Sequence, residues 1–308
     1  MKESIRVFSP ATVANVACGF DVLGFALESP GDEIEVRPRD EPGFTVINKT
    51  PDTVFPRDPN KNTAVVSLKA YLEHINSDQG FEITFHSKIK PGSGIGSSSA
   101  SAAASVFAVN ELLGKPLTQT DLVQFAMQGE KAAAGVAHAD NVAPALLGGF
   151  VLVRSYDPLD LIQIPFPDEL HCTIIHPQIE VKTEDARKIL KKGITLKDAI
   201  TQWGNIAGLI AGLMKGDYSL IGRSLQDVII EPIRSMLIPG FDQVKEAALA
   251  QGALGASISG SGPSMFALSS SLETAQRVAQ AMTDTFSKFE IENHSYVCKI
   301  NKQGPRIL

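Results

Sequence analysis

Pro91-Gly-Ser-Gly-Ile-Gly-Ser-Ser-Ser-Ala-Ser101 places three glycines ahead of a serine cluster and an alanine-rich run. The preceding run, Phe81–Phe85, alternates apolar and polar residues and predicts a strand, whereas Ser98–Leu113 predicts a helix. Glycines let successive backbone N–H groups turn toward one anion, and a helix directs its positive end to the same point. Strand, glycine loop and helix in this order predict a polyphosphate-binding site.

Two common phosphate-binding loops do not fit this stretch. The Gly-x4-Gly-Lys-[Ser/Thr] loop is absent, since the Gly114-Lys115 pair runs directly into Pro116. The Gly-x-Gly-x-x-Gly dinucleotide fingerprint fails because the glycines alternate with single residues and no acidic residue closes a following strand. From composition alone, an ordinary Gly/Ser-rich connection stays open as the alternative.

The composition predicts a globular protein of one large or two medium domains. The chain has 308 residues, of which 44% are hydrophobic and 20% are charged, enough to form buried cores. Its net charge of −6 leaves no basic surplus to neutralise a nucleic-acid backbone, which argues against a nucleic-acid-binding protein. Anionic ligands must therefore be bound by local arginines and backbone amides.

The cysteines predict a reducing compartment. Cys18, Cys172 and Cys298 are far apart and odd in number, without the paired spacing of a zinc site or a disulfide framework. We therefore expect a cytoplasmic protein. The longest apolar stretch, Val142–Val153, is too short to span a bilayer, so we expect no membrane association.

The order of predicted elements indicates an α+β fold. In the first half, the predicted strands are Ile5–Phe8, Val22–Leu27, Glu33–Arg37, Phe44–Ile47 and Phe81–Phe85. The predicted helices there are Thr63–His74, Ser98–Leu113 and Leu122–Ala134, the last one entered through the capping-box spacing Thr118-x-x-Asp121.

The second half repeats the alternation, which predicts two closely packed units spanning residues 1–152 and 153–308. A helix-rich stretch up to about Gln251 follows the third strand of this half, and a later helix begins at Ser270-x-x-Glu273. The predicted strands are Phe150–Arg154, Leu161–Ile164, Cys172–His176, Gly255–Ile258, Met265–Leu268 and Ser295–Ile300.

Three segments resemble the motifs of the GHMP kinases, the family of galactokinase, homoserine, mevalonate and phosphomevalonate kinases. Pro91–Ser99 resembles the central motif, Ser9–Gly24 the first motif and Gly255–Ser264 the third. The resemblance implies an N-terminal domain like the second domain of a ribosomal small-subunit protein. It also implies a ferredoxin-like C-terminal domain and an active site in the cleft between the two.

Within this family, the segment His138–Gly149 is similar to the homoserine kinase form. That similarity implies ATP-dependent phosphorylation of L-homoserine to O-phospho-L-homoserine, a step of threonine biosynthesis. Other substrates of the family, namely mevalonate, a sugar or shikimate, stay open as alternatives, as does a catalytically silent ATP or amino-acid sensor. Members of the family are commonly homodimers, so a homodimer is compatible with the resemblance.

The resemblance also implies a magnesium and nucleotide site. Ser98 and Glu130 match the metal-binding positions, where a hydroxyl at a helix start and a carboxylate from a facing helix can meet one Mg²⁺. The positions implied for ATP are Pro91, Gly92, Ser93, Gly94, Ile95, Gly96, Ser97, Ser98, Ser99 and, near the adenine, Asn62.

For homoserine, the resemblance implies a cation for the carboxylate, an anion for the ammonium and a polar group for the reacting hydroxyl. Arg187 and Arg234 match the carboxylate-binding positions, where a guanidinium makes paired hydrogen bonds. The ammonium-binding position is matched by Asp21 with Asn15, and the hydroxyl-positioning one by Asn141 with His138. Taken singly, these residues also fit ordinary turn and surface roles.

The resemblance leaves the catalytic base open. Mevalonate-type relatives use an aspartate as base, and Asp140 is its counterpart here. In homoserine kinases, by contrast, direct attack on the γ-phosphate without an enzyme base is the usual view. Because positioning and charge neutralisation carry most of phosphoryl transfer, we favour no dedicated base. The catalytic candidates are Arg187, which would also stabilise the transferring group, Asn141 and Asp140.

Overall fold

The computed structural model describes residues 3–50, 53–181, 183–191 and 193–308, and it has the predicted α+β composition. The strands are β1 (Ile5–Ala14), β2 (Leu23–Arg39), β3 (Phe44–Asn48), β4 (Gly80–Ser87), β5 (Phe150–Tyr156), β6 (Leu159–Ile164), β7 (His171–Pro177), β8 (Gly255–Ile258), β9 (Met265–Ser269), β10 (Asn293–Lys299) and β11 (Arg306–Ile307).

The α-helices alternate with these strands in the first half and dominate the stretch after β7. They are α1 (Thr63–His74), α2 (Ser97–Leu112), α3 (Gln119–Ala134), α4 (Ala139–Leu147), α5 (Thr183–Lys188), α6 (Leu196–Lys215), α7 (Tyr218–Ser224), α8 (Glu231–Arg234), α9 (Phe241–Ala250) and α10 (Leu272–Lys288). Within the described ranges, no helix combines the length and apolar content needed to cross a bilayer.

The first sheet has seven strands and is covered by helices α1 to α4. Its order is β11-β1-β2-β4-β3, with β5 paired to β2 and to β6. All pairs are antiparallel except β3 with β4. Helix α2 is buried along nearly its whole length because its alanines let the sheet and neighbouring helices approach closely. A rigid core therefore fixes the position at which α2 begins.

One strand replaces two that the sequence predicted separately. Val22–Leu27 and Glu33–Arg37 both belong to β2, which continues through the polar residues between them. The pairing of β2 with β1 persists there, with Asp32 opposite Ser9, and a register shift follows between Pro10 and Thr12. A bulge of this kind bends a strand without ending it. The polar interruption was therefore wrongly interpreted as a turn.

The second sheet has four antiparallel strands in the order β10-β7-β9-β8. Helices α9 and α10 cover one face of it. A separate apolar cluster joins the two sheets, and in it Phe25 of β2 lies 6.0 Å from Phe266 of β9, ring centre to ring centre. The predicted division at residue 152 stays a prediction. Because residue 152 lies inside β5, which pairs with β6, a boundary after Ile164 would keep their hairpin whole.

The helix caps follow the sequence with one correction. Thr118 and Asp121 form the predicted capping box of α3. For α10 the predicted cap at Ser270 is wrong, because Ser271 occupies that position and its hydroxyl accepts from the N–H of Thr274. Consecutive serines offer the same chemistry, so the spacing alone could not decide between them.

Candidate active site

A cavity of about 520 Å³ lies between the two sheets and contains most of the predicted site residues. The glycine loop before α2 and the start of α4 line it from the N-terminal half. The turn after β8 and the residues Arg187 and Arg234 line it from the C-terminal half. Residues from both halves of the chain enclose the cavity, because neither sheet does so alone.

The glycine loop adopts a backbone that only glycine tolerates without strain. Gly92, Gly94 and Gly96 have φ values of 76°, 81° and 70°, all in the left-handed region. A Cβ on Gly96 would lie 2.0 Å from Oγ1 of Thr12, so this glycine also permits a close approach. No side chain of the described residues caps α2 at Gly96. The first backbone N–H groups of α2 are therefore directed at the cavity, where they can donate hydrogen bonds to an anion.

The third motif packs directly against this loop. The hydroxyl of Ser259 donates to the carbonyl of Gly94 at 2.8 Å. A Cβ on Gly94 would lie 2.6 Å from the carbonyl oxygen of Gly262, so a side chain at that position would separate the two motifs. The small residues of the third motif thus shape the cavity.

Ser98 and Glu130 lie in contact, as the predicted metal site requires. The hydroxyl of Ser98 donates to Oε2 of Glu130 at 2.8 Å, and that of Ser99 donates to the same oxygen at 2.6 Å. Burial raises the pKa of Glu130, and the two serines act in the opposite direction. A buried carboxylate with this penalty is suited to a cation that offsets its charge.

A metal bound here would depend on nucleotide oxygens for most of its ligands. Among the residues that the structure describes, no group of three His, Cys, Asp or Glu side chains is placed to hold a metal ion. One carboxylate and one hydroxyl, completed by phosphate and water, are the usual protein share of a magnesium–nucleotide site. Ser98 and Glu130 fit that arrangement.

A buried ion pair beneath the glycine loop was not found from the sequence. Nζ of Lys88 lies 3.1 Å from Oδ2 of Asp32 and donates to the carbonyl of Ser97 at 2.7 Å. Asp32 is fully buried, and its other oxygen accepts from the N–H of Ile89 at 2.8 Å. Burial lowers the pKa of Lys88, whereas Asp32 counteracts that shift. The pair fixes the first residue of α2 from below.

Asp21 and Arg187 approach each other in the wall of the cavity. Nη2 of Arg187 donates to both carboxylate oxygens of Asp21, at 2.8 and 3.0 Å. The same nitrogen lies 3.3 Å from Nε2 of His138, and Nδ1 of His138 lies 3.5 Å from Asp21. Because a guanidinium only donates, Nε2 is the acceptor and the histidine proton sits on Nδ1, facing Asp21. Burial lowers the pKa of His138, which favours this neutral form.

Arg234 and Asn15 meet on one carbonyl of the third motif. Nη1 of Arg234 donates to the carbonyl of Gly260 at 3.0 Å, and Nδ2 of Asn15 donates to it at 2.8 Å. The ring of Phe20 lies under both guanidinium groups, 4.9 Å from Cζ of Arg234 and 5.5 Å from that of Arg187. Burial and the neighbouring Arg187 lower the pKa of Arg234 to about 10. Two cations held this close favour an anionic ligand between them.

Helix α4 brings Asp140 and Asn141 to the cavity wall. Oδ1 of Asn141 accepts from the hydroxyl of Thr12 at 2.8 Å. Pro144 removes the helical donor for the carbonyl of Asp140, and Gly24 of β2 packs so close that a Cβ there would lie 1.7 Å from that oxygen. This contact fixes the start of α4. Burial, followed by Asp21 and Glu130, raises the pKa of Asp140 to about 8.

Asn62 has a structural role where the sequence predicted a contact with adenine. Its Oδ1 caps α1 by accepting from the N–H groups of Ala64 and Val65, and its Nδ2 donates to the carbonyl of Pro56 at 2.7 Å. The residue nevertheless lines the cavity, so its contact with adenine stays a prediction.

The chain matches two family models and many curated proteins. Residues 62–149 match the GHMP kinases N terminal domain, and residues 209–288 match the GHMP kinases C terminal domain. The chain is 52% identical to the homoserine kinase of Chloroherpeton thalassium, a match that covers 99% of this chain and 100% of that protein. It is 49% identical to the homoserine kinase of Chlorobaculum tepidum, over 99% and 98% of the two chains.

Solved structures give the same relationship. The crystal structure of homoserine kinase from Cytophaga hutchinsonii superimposes with a TM-score of 0.96 at 57% identity, covering 100% of this chain and 98% of that one. The mevalonate kinase of L. major, solved with R-mevalonate, superimposes with a TM-score of 0.72 at 18% identity, over 96% and 95% of the chains. The second similarity concerns the fold alone.

Proposed function

Because the chain belongs to the GHMP kinase family, and within it to the homoserine kinases, we propose that it phosphorylates L-homoserine. The reaction consumes ATP and yields O-phospho-L-homoserine and ADP, a step of threonine biosynthesis. The proposed setting is the cytoplasm, with no nucleic-acid or membrane partner and with the enzyme as a homodimer. The two-domain fold of the family provides the cleft in which both substrates meet.

The observation that carries the proposal is the presence of two distinct charged clusters in one cavity. Ser98 and Glu130 form one cluster beside the glycine loop, and Asp21, Arg187 and Arg234 form a second cluster in the same cavity. Homoserine carries a carboxylate and an ammonium on one carbon and a hydroxyl two carbons away. An amino-acid head group bound by Asp21, Arg187 and Arg234 would leave its hydroxyl available to the phosphates held by the glycine loop.

For the nucleotide, we propose that residues 91–99 hold the phosphates and Asn62 lies near the adenine. The left-handed glycines and the open N-terminus of α2 provide N–H donors at the position where the terminal phosphates would lie. Ser98 and Glu130 would hold Mg²⁺, which neutralises phosphate charge when bound. Glu130→Gln is therefore expected to weaken the magnesium-dependent increase in ADP affinity while leaving metal-free ADP binding nearly unchanged.

For the amino acid, we propose that Arg187 and Arg234 bind the carboxylate and that Asp21 with Asn15 binds the ammonium. Asp21 already accepts two hydrogen bonds from Arg187. The substrate ammonium would therefore replace part of this contact and donate to the same carboxylate. Asn15 supports Asp21 through a hydrogen bond from the N–H of Asp21 to its Oδ1, at 3.0 Å.

For the chemical step, we propose in-line transfer without a dedicated base. Asn141 and His138 would orient the hydroxyl, and Arg187 would stabilise charge on the transferring group. Burial raises the pKa of Asp140 to about 8, which favours the protonated carboxyl at neutral pH, and a protonated carboxyl is a poor acceptor for the hydroxyl proton. The hydroxyl proton would then pass to an oxygen of the transferred phosphate.

The test is a substrate panel with purified protein and Mg-ATP, in which each phosphorylated product is identified by mass. The expected result is a phosphate adduct of homoserine, with mevalonate, galactose and shikimate unreactive. Turnover of a non-amino-acid alcohol alone would change the substrate and keep the kinase activity. Binding of ATP and homoserine without any product would instead favour the sensor alternative.

A further inference from the structure

A tyrosine hydroxyl outside the family motifs is bonded to the backbone of Asp21. Oη of Tyr156, the last residue of β5, donates to the carbonyl of Asp21 at 2.8 Å. The residue is 41% exposed, yet its hydroxyl is turned toward the protein. Burial raises the pKa of Tyr156, and the nearby carboxyls of Asp140 and Asp21 act in the same direction. The phenol thus adds a hydroxyl donor beside two carboxyl groups of the candidate site.

An irregularity in the β5–β6 hairpin directs Tyr156 to this position. The pairing register shifts between Val153 and Ser155, where β5 has one residue more than β6. Side chains alternate between the two faces of a strand, and an extra residue reverses the alternation beyond it. Without that residue, Tyr156 would lie on the face opposite Val151, which packs in the core that α1 to α4 share. The bulge therefore brings the phenol to the helix-covered face of the sheet.

The backbone of Asp21 has a conformation that requires support from its surroundings. Its φ is 60°, in the left-handed region that a residue with a side chain seldom adopts. Such a conformation persists only where the surrounding structure over-determines it. The N–H of Asp21 donates to Oδ1 of Asn15 at 3.0 Å, and its carbonyl accepts from Tyr156. The N–H of Val153 donates to the carbonyl of Val22 at 2.7 Å, so the next residue is tied to the same hairpin.

We propose that Tyr156 is a positioning residue for the amino-acid substrate, because it fixes the backbone from which Asp21 presents its carboxylate. The inference rests on the proposed function, in which Asp21 binds the substrate ammonium. The rotamers open to a side chain depend on its φ and ψ, so a change in the backbone of Asp21 turns its carboxylate. Arg187 already contacts that carboxylate at 2.8 Å. The backbone contacts therefore hold Asp21 in place while a second cation, the ammonium, competes for it.

The chemistry of Tyr156 favours positioning over proton transfer. Its hydroxyl proton is donated to the carbonyl of Asp21, so this proton is not available to the substrate. The raised pKa keeps the phenol neutral, and a neutral phenol is a poor acceptor for the proton of the homoserine hydroxyl. Tyr156 therefore acts through Asp21, and its removal should affect substrate binding more than the chemical step.

The test is the variant Tyr156→Phe in the full chain, which removes one oxygen and keeps the ring. KM for homoserine is expected to rise by about 5- to 10-fold, as for the loss of one neutral hydrogen bond, with kcat within about two-fold of wild type. KM for ATP and the circular dichroism spectrum are expected to be unchanged. The control is Tyr296→Phe on β10, whose hydroxyl has no hydrogen-bond partner among the described residues. It is expected to leave every constant unchanged.

A double-mutant cycle separates positioning from a general effect on the hairpin. In the Asp21→Asn background, Tyr156→Phe is expected to raise KM for homoserine by less than about two-fold, because the charge that Tyr156 positions is already absent. A general defect would instead multiply with Asp21→Asn and would raise KM for ATP as well.

Three results would overturn the inference: an unchanged KM for homoserine in Tyr156→Phe, equal rises in both KM values, or independent effects of the two changes in the cycle. Each of these, obtained beside a wild-type enzyme that phosphorylates homoserine, leaves the proposed function intact. A wild-type protein that does not phosphorylate homoserine would overturn the proposed function and this inference together.

Discussion

Asp21 and Arg187 are ion-paired across the candidate site, with Nη2 of Arg187 at 2.8 and 3.0 Å from the two carboxylate oxygens. The proposed partner of the substrate ammonium and the proposed partner of its carboxylate thus satisfy each other. Their side chains are 30% and 35% exposed, so water already competes for both. A zwitterionic ligand can therefore replace the contact by offering an opposite charge to each partner.

Asp21→Asn is expected to raise KM for homoserine by about 10- to 150-fold, the loss expected when a charged hydrogen bond of about 1.5–3 kcal/mol is removed. KM for ATP should change little, because Asp21 bonds to Asn15, Tyr156 and Arg187, whereas Ser98 bonds to Glu130. Initial-rate kinetics with each substrate varied in turn measure both constants. Asp160→Asn, which breaks the surface pair with Arg154, serves as the control. An equal rise in both KM values would contradict the proposed role of Asp21.

Gly96→Ala is expected to abolish tight nucleotide binding. The new Cβ would lie 2.0 Å from Oγ1 of Thr12 and would also have to adopt a φ of 70°. Gly114→Ala is the matched control, since its φ is 82° and nothing lies within 4 Å of the new atom. Calorimetric titration with ADP should show loss of binding in the first variant alone. Equal losses in the two variants would mean that backbone strain, and not the loop contact, decides binding.

Lys88→Met is expected to lower the free energy of unfolding by about 3–5 kcal/mol, because it leaves Asp32 charged and buried. The double variant Lys88→Met/Asp32→Asn should be more stable than Lys88→Met, since the second change removes that charge. Arg6→Met, which breaks an exposed pair with Glu33, should cost less than about 1 kcal/mol. Denaturant unfolding measures all three. Additive losses in the double variant would refute the assignment of a coupled buried pair.

Asp140→Asn is expected to weaken the dependence of stability on pH. The folded carboxyl has a pKa of about 8, against 3.8 as the ordinary value, so between these values the folded state holds a proton that the unfolded chain has released. The free energy of unfolding therefore falls as pH rises through this window, by up to about 1.4 kcal/mol per unit from this group. Denaturant unfolding at pH 5, 6, 7 and 8 measures the slope, and the exposed variant Asp284→Asn is the control.

The same variant tests the chemical step. With no dedicated base, Asp140→Asn should retain substantial turnover, because the amide preserves the size of the side chain. A fall in kcat on the order of 10²-fold or more, with unchanged KM values, would favour general-base catalysis by Asp140.

Local sequence patterns predicted an element correctly where its residues fit only one kind of secondary structure. Helix α1 has the predicted bounds, since an Asn cap precedes a clear apolar period and a turn follows it. Helix α4 was treated as a motif and not predicted as a helix, because Pro144 lies inside it. The short strand β11 was missed because two residues carry no period. Those two residues form a strand only because they pair with β1 in the folded chain.

The candidate site likewise contains residues that the sequence identified and residues that it did not. Resemblance assigned Ser98 and Glu130 to one metal site, and the structure places their side chains in contact at 2.8 Å. Lys88 and Asp32 were missed because charged residues near strand ends are ordinarily solvated. Only the folded chain shows that they are buried against each other. The functional roles of the site residues stay predictions.

The pairing of β11 with β1 affects how the protein is made on the ribosome. Val7 of β1 lies opposite Ile307, and the backbone N–H of Gly149 donates to the carbonyl of Asn301 at 2.6 Å. The first sheet is thus completed by residues translated some 300 positions after its first strand. A nascent chain stalled before residue 300 would expose that edge strand to other chains. The nascent chain should therefore need protection by chaperones until β11 has left the ribosomal exit tunnel.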